Sequence, residues 1–232
     1  MGLFLWDSEP SKIFVGDTEV SSVWVWANKV RPTTLVHIST DLRQCSSEAD
    51  VIAQWWGGIA KYNTWNYTLA NGNWIELTSW HNFVCSLYYP LTTPLTTSNK
   101  VTMHCTGNWR NWSYSWGERM YLSTATWDAG WTWACLAFYA TETGIRIDND
   151  ISDITHWNGY WDFDITMVVD LSTWVITYTW TAASGNYKTI NLTRTMTAAQ
   201  IQNAISKSYL TFETICYSFY AHKLYTAEIK IE

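Results

Sequence analysis

The chain has few charged residues for its length and no long apolar segment. Charged residues make up 15% of the 232 residues, whereas soluble domains contain about 25%. The net charge is −6 and no basic run is present, so nothing could neutralise a phosphate backbone and we expect no nucleic-acid partner. No apolar run approaches the roughly 20 residues that a membrane-spanning helix needs, so we expect no membrane span.

Cysteine is also scarce and is spread along the chain. The five cysteines include no CxxC pair, a pattern that indicates neither a zinc site nor a disulfide scaffold. Most lie in apolar, strand-like segments, and we predict buried free thiols. The residues are Cys45, Cys85, Cys105, Cys135 and Cys216.

Aromatic residues and threonine are abundant and favour sheets over helices. Aromatics reach 17% of the chain. Short strand-like segments are separated by turn signals at intervals of roughly 8–12 residues, which is typical of a β-sandwich or barrel. Asn71-Gly72 is a strong hairpin signal. We therefore predict an all-β, antiparallel fold.

Two segments have helical signals. In the first, Ser47 could cap a short helix reaching towards Trp56, although a strand over 51–56 fits almost as well. In the second, Thr197 and Gln200 form a capping box before an apolar helical face that ends near Lys207.

The C-terminal part of the chain resembles the concanavalin-A/laminin-G-like jelly roll. The resemblance depends on the hairpin around Val169-Asp-Leu-Ser-Thr173, the helix that starts at Thr197 and the strand Tyr225-Thr-Ala-Glu-Ile-Lys-Ile231. It extends over residues 70–232 and implies a lectin-like domain. Members of this fold often bind Ca²⁺, and some are glycoside hydrolases.

Near the N-terminus, one short phrase occurs twice. Lys12–Val20 is repeated by Ser22–Val30, and Arg31-Pro32 follows. Each copy is predicted to be a strand, a tight turn and a second strand, too small to bury a core alone. The repeat resembles the N-terminal hairpin modules of tailed-phage and prophage tail proteins, which precede a lectin-like receptor-binding domain.

That resemblance implies two parts, an attachment module over residues 1–34 and a jelly-roll body over residues 35–232. We expect the module to contact another chain, either another copy or another virion or appendage protein. The candidate interface residues are Phe14, Val15, Trp24, Trp26 and Arg31.

The segment Asn108–Trp116 is the most plausible binding surface in the sequence. Aromatic faces stack on sugar rings, while asparagine and arginine bind hydroxyls. A sandwich core on alternate positions would explain Trp112, Tyr114 and Trp116 equally well. The candidate carbohydrate-binding residues are Trp109, Arg110, Trp112, Tyr114 and Trp116.

Evidence for metal binding or catalysis is weaker. Asp148, Asp150 and Asp153 form an oxygen-rich segment, predicted to be a loop, that could bind Ca²⁺ or be a solvated turn. Asp162 and Asp164 could share a strand face, but the Glu-x-Asp-x-x-Glu pattern of hydrolases with this fold is absent. The histidines are isolated and no GxSxG motif occurs. We therefore predict a non-enzymatic protein.

Tryptophan is more frequent than glycine, 18 residues against 11, where average usage would give about 16 glycines. Trp26 occupies the position of Gly16 in the repeat, and Trp174 follows Ser172-Thr173 in a strand–turn–strand segment where that next residue commonly has a positive φ. One explanation is an aromatic sugar-binding surface. Another is a UGA codon that the host reads as glycine; ordinary packing would account for most of the others.

Together these features predict a structural or receptor-binding component of a phage-like particle or surface appendage, located in a virion or on an extracellular surface. Cell-surface glycans are the ligands that such a component could bind. The alternatives are a free carbohydrate-binding lectin or adhesin, and a glycoside hydrolase of the same fold.

Overall fold

A computed structural model describes most of the chain. The backbone is described over residues 14–15, 18–19, 24–25, 28–29, 36–62, 67–70, 74–77, 83–111, 116–126, 134–141, 144–147, 150–153, 159–182, 190–216 and 222–232. Side chains are described over 36–59, 86–108, 119–126, 162–179, 181, 191–213 and 224–232. Within these ranges no helix has both the length and the apolar character needed to cross a membrane.

Each copy of the N-terminal repeat forms a pair of short antiparallel strands. β1 (Phe14–Val15) pairs with β2 (Thr18–Glu19), and β3 (Trp24–Val25) pairs with β4 (Asn28–Lys29). The strands predicted for each unit are therefore present, while the turns between them lie outside the described residues. Trp26 and Arg31 lie outside the described residues, and the division into module and body stays a prediction.

Two large antiparallel sheets form the body of the protein. The first has eight strands in the order β17-β16-β15-β10-β19-β8-β7, with β5 also paired to β19. Its strands are β5 (Val36–Asp41), β7 (Tyr67–Ala70), β8 (Trp74–Leu77), β10 (Lys100–Asn111), β15 (Gly159–Asp170), β16 (Val175–Ala182), β17 (Ile190–Thr195) and β19 (His222–Ile231).

The second sheet has seven strands in the order β14-β13-β12-β11-β18-β9-β6. Its strands are β6 (Gly58–Tyr62), β9 (Phe83–Pro90), β11 (Trp116–Ser123), β12 (Ala134–Thr141), β13 (Gly144–Ile147), β14 (Asp150–Asp153) and β18 (Tyr209–Cys216).

Alternation along the strands places an apolar core between the sheets. In β10, Val101, Met103 and Cys105 are buried, and the residues between them are partly exposed. Met120 and Phe212 of the second sheet belong to the same core cluster. The predicted all-β antiparallel sandwich is confirmed. Cys45 and Cys105 are buried and form no disulfide, as predicted. The other three cysteines lie outside the residues with described side chains.

Both predicted helices are present and begin where their caps predict. Helix α1 (Glu48–Ala53) starts after Ser47, whose side chain forms a capping box with Asp50. Helix α2 (Ala198–Ile205) starts after Thr197, which forms a capping box with Gln200. A 3₁₀ turn (Leu42–Gln44) connects β5 to α1.

The sandwich begins earlier than residue 70, where the predicted resemblance starts. β5 lies in the first sheet beside β19, with Val36 opposite Ile231. A pairing between such distant segments leaves no local signal in the sequence, so the resemblance stops at residue 70, although the predicted jelly-roll body over residues 35–232 includes β5.

The structure assigns strands to two segments discussed above. The predicted sugar-binding segment begins in a strand, because β10 continues to Asn111 with β15 paired along it as far as Gly159. The acidic segment is also not simply a loop, since residues 150–153 form the edge strand β14.

Trp55 and Trp174 have left-handed backbone conformations, with φ of 74° and 63°. No other non-glycine residue in the described part of the chain has a positive φ. The positive φ predicted for Trp174 is thus confirmed, while the one at Trp55 was not predicted. Both side chains are exposed, by 45% at Trp174 and by 81% at Trp55.

Candidate functional site

The predicted sugar-binding segment starts at one end of the eight-stranded sheet. Trp109 and Arg110 follow Asn108 in β10, and Trp116 begins β11. Trp112 and Tyr114 lie outside the described residues, as do the side chains of the other three candidates. Their roles therefore stay predictions, and the site is built here from the neighbouring residues whose side chains are described.

A β-bulge at this end of the sheet gives Tyr225 a special position. The pairing register between β10 and β19 shifts between Thr106 and Gly107, so Tyr225 is the extra residue on β19. Bulges re-aim the side chains they contain and are common beside functional sites. The Tyr225 side chain is partly exposed, and the guanidinium carbon of Arg43 lies 5.8 Å from its ring centre.

Two hydrogen-bonded pairs accompany Tyr225. The amide of Asn108 donates to Oδ1 of Asp162 at 2.7 Å. Arg43 donates to both carboxylate oxygens of Asp41, at 2.7 and 2.9 Å, and such a bidentate contact fixes the guanidinium plane. We call these five residues the Tyr225 cluster; they come from β5, the 3₁₀ turn, β10, β15 and β19.

Electrostatic interactions connect the members of the Tyr225 cluster. Burial of the ring raises the pKa of the Tyr225 hydroxyl, and the charge of Asp162 raises it further, against an opposing effect of Arg43. The hydrogen bond from Arg43 lowers the pKa of the Asp41 carboxyl. At neutral pH the cluster therefore presents carboxylates, a guanidinium, an amide and a neutral phenol. An aromatic face beside such donors and acceptors can bind a polyhydroxylated ligand.

A row of four acidic and histidine side chains crosses the same outer face of the sheet. His37 bonds to Glu228 at 2.8 Å, His104 lies 3.6 Å from the other oxygen of Glu228, and His104 bonds to Asp164 at 2.9 Å. We call these residues the histidine row. Its members are partly or largely exposed.

The positions of Asp162 and Asp164 bear on the glycoside hydrolase alternative. Both are exposed and flank the buried Phe163, which confirms that they share a strand face. Each bonds to a side chain of β10, Asp162 to Asn108 and Asp164 to His104. Both carboxylates are therefore engaged by neighbouring side chains, rather than held apart for the acid and nucleophile roles of a hydrolase.

A different polar cluster is buried on the seven-stranded sheet. Glu213 accepts hydrogen bonds from Arg119 at 3.0 Å, from Ser86 at 3.1 Å and from Tyr121. These four side chains are at most 4% exposed. Burial raises the pKa of Tyr121 well above its usual value, and the charge of Glu213 adds to the effect. Arg119 and Tyr121 alternate with the core residue Met120, so this Glu213 cluster faces away from the core between the sheets.

The predicted Ca²⁺ site is not described by the structure. Asp148 lies outside the described residues, and only the backbone is described at Asp150 and Asp153, the first and last residues of β14. Among the side chains that are described, no three acidic, histidine or cysteine residues come close enough to hold a metal ion. Ca²⁺ binding therefore stays a prediction.

Most of the Tyr225 cluster has no recognisable signal in the sequence. Asp162 was a candidate only for catalysis, and Tyr225 was only part of a predicted strand. Arg43 and Asp41 are brought to this end of the sheet by the pairing of β5 with β19, which no local pattern indicates. The Asp-x-Arg spacing of a bidentate turn was the only sequence signal available.

Comparison with solved structures identifies the fold as that of the legume lectins. Lectin II from Ulex europaeus aligns with a TM-score of 0.58 at 10% identity, covering 86% of this chain and 100% of that chain. The metal-free lectin I-B4 from Griffonia simplicifolia aligns at 0.61 and 12% identity, covering 85% and 99%. A peanut lectin bound to a nine-residue peptide aligns at 0.57 and 13%, covering 85% and 97%.

Sequence comparison does not define the family or function of this chain further. No protein-family profile matches this chain, and no curated protein is recognisably related to it. At identities this low the structural likeness establishes the concanavalin-like jelly roll alone. The resemblance to phage tail proteins has no support among these structures and stays a prediction.

Proposed function

We propose that this protein is a non-enzymatic carbohydrate-binding protein, and that the Tyr225 cluster is part of its glycan site. The observation that carries the proposal is the bulge that sets Tyr225 beside a carboxylate–amide pair and an oriented arginine. The fold supports it, because the similar structures are lectins, one of them described in complex with galactose.

The chemistry of the cluster suits a sugar ring. Arg43 lies over one face of the Tyr225 ring, and we assign the opposite face to the apolar face of a saccharide. The Asp162 carboxylate and the Asn108 amide would bind neighbouring hydroxyls as acceptor and donor. The site would continue along β10 to Arg110, two residues beyond Asn108 on the same strand face.

A glycan array probed with the full chain tests this function, followed by calorimetric titration with the best glycan. Tyr225→Ala should weaken binding about tenfold, or roughly 1.4 kcal/mol, because the stacking surface is lost. Asp162→Asn should weaken it by a similar factor, since the charged acceptor is lost.

Thr177→Ala provides the matched control. Thr177 lies on the same outer face but in β16, where it bonds to Thr193 of β17. Its replacement should leave the affinity unchanged. Normal glycan binding by both Tyr225→Ala and Asp162→Asn would rule out this site, and the absence of binding to any glycan would count against the function itself.

The N-terminal strand pairs favour a second, compatible role as a component of a virion or surface appendage. Two-stranded units of this size are not stable alone, which suggests that β1–β4 pack against another protein chain. Deleting residues 1–31 should leave a folded jelly roll that no longer joins the native particle. Unchanged incorporation of the deleted protein would exclude the attachment role.

A further inference from the structure

We infer that residues 55 and 174 are glycines in the protein as its native host makes it. The tryptophans would then represent UGA codons that the host reads as glycine. UGA is a stop codon in most organisms, but some bacterial lineages read it as tryptophan and others as glycine. The inference concerns the identity of two residues and is independent of the proposed function.

Position 55 is the place where a helix usually ends on glycine. Helix α1 stops at Ala53, Gln54 is its C-cap, and residue 55 follows with φ of 74°. Its N–H bonds to the carbonyl of Ile52 at 3.0 Å, which is one of the two hydrogen bonds of a Schellman motif. That motif places a left-handed residue, most often glycine, immediately after the C-cap.

Position 174 ends a tight hairpin turn between β15 and β16. Asp170 pairs with Val175, and the Asp170 carboxylate accepts hydrogen bonds from the N–H groups of Ser172 and Thr173 at 3.0 and 3.1 Å. The carbonyl of residue 174 accepts from the N–H of Met196 at 2.8 Å. These bonds hold the turn in place, so residue 174 must take the left-handed conformation that turns commonly fill with glycine.

The side chains at these positions gain little in return for the backbone strain. Trp55 is 81% exposed and Trp174 is 45% exposed, whereas the adjacent Trp56 is 2% exposed. Trp56 donates to Thr40 at 2.9 Å and packs edge-to-face on Phe212. The structure therefore distinguishes a well-packed tryptophan from two that project outward from glycine-like backbone.

The abundance of tryptophan does not explain why it occupies both of these left-handed positions. Tryptophan accounts for 18 of 232 residues, yet it fills both left-handed non-glycine positions in the described ranges. The N-terminal repeat gives an independent third instance, since Trp26 aligns with Gly16. Trp26 lies outside the described residues, so the inference depends on it only through the sequence.

Stability measurements on recombinant variants test the backbone requirement. At positions 55 and 174, the glycine variant should melt roughly 2–4 °C above the alanine variant, because alanine keeps the left-handed strain. Gln54 is the matched control, since it adjoins position 55 but has φ of −89°. There the order should reverse, with Gln54→Ala melting above Gln54→Gly. Equal melting of the alanine and glycine variants at both test positions would contradict the inference.

The codons of the gene and the peptide masses of the native protein show whether UGA is read as glycine. We expect UGA at positions 26, 55 and 174, and UGG at position 56. Peptide mass spectrometry of the protein from its native source should then show glycine at 55 and 174 and tryptophan at 56. UGG codons at 55 and 174, or native peptides with tryptophan there, would overturn the inference and make both residues candidates for strained, exposed ligand-stacking positions.

Discussion

The two sheets each contain a network of acidic and basic side chains, but one network is buried and the other faces solvent. In the Glu213 cluster, the ion pair between Glu213 and Arg119 is at most 4% exposed. In the histidine row, the pair between Glu228 and His37 is 34% and 53% exposed. The distances are similar, 3.0 Å in the first pair and 2.8 Å in the second.

The distance between two charged groups therefore does not by itself determine how much their contact contributes to the free energy of unfolding. Breaking a buried pair leaves one desolvated charge and typically costs 3–5 kcal/mol, whereas exposed pairs contribute about 0–1 kcal/mol. We infer that the Glu213 cluster stabilises the fold, and that the histidine row leaves the outer face free to vary.

Glu213→Gln should have the largest effect. It preserves side-chain volume but removes the charge that Arg119, Tyr121 and Ser86 contact. We expect unfolding by urea to show a loss of about 3–5 kcal/mol. A loss below about 1 kcal/mol would place both networks in the same energetic class and remove the contrast between them.

Tyr121→Phe should have an intermediate effect. It deletes one donor to the Glu213 carboxylate while keeping the ring, so we expect a loss of about 1.5–3 kcal/mol at neutral pH, as for other hydrogen bonds to charged groups. Denaturant unfolding of this variant beside the parent protein measures the difference. An unchanged midpoint would show that the carboxylate does not depend on this hydroxyl.

The raised pKa of Tyr121 also predicts a dependence on alkaline pH. Because the folded-state pKa lies well above the unfolded value of 10.0, the unfolded chain loses this proton first. Its contribution is complete below pH 10 and is lost as the pH rises above that value, with a slope of at most about 1.4 kcal/mol per pH unit. Urea unfolding between pH 9 and 11 should show a shallower decline for Tyr121→Phe than for the parent.

Glu228→Gln should have the smallest effect, although the chemical change equals that of Glu213→Gln. Glu228 contacts His37 and His104 on the exposed face, so we expect a loss below about 1 kcal/mol. Thermal unfolding at matched pH checks this. A loss as large as that of Glu213→Gln would mean that the outer face is covered by another surface in the native protein.

Local sequence patterns predicted much of the fold. The capping pairs Ser47/Asp50 and Thr197/Gln200 lie within single turns, so the start of each helix could be recognised from a few residues. The hairpin of β7 and β8 followed in the same way, because Ala70 pairs with Trp74 across the Asn71-Gly72 signal.

Features that join distant segments could not be predicted. The bulge at Tyr225 exists only in the register between β10 and β19, and the cluster around Glu213 joins three strands far apart in sequence. A charged residue in a strand is normally predicted to be exposed to solvent. The burial of Glu213 and Arg119 could not be predicted because it depends on partners from distant strands. Among the predicted sugar-binding residues, Trp109, Arg110 and Trp116 lie on strands, whereas Trp112 and Tyr114 lie outside the described residues.

The pairing of β5 with β19 also constrains the order in which the protein can fold. His37 and Glu228, which meet across this pairing, are 191 residues apart. During synthesis, β5 emerges long before the strand that it pairs with exists, so its edge stays open while most of the chain is made. Such distant pairings are slow to form. The finished sandwich can therefore close only after translation has passed β19.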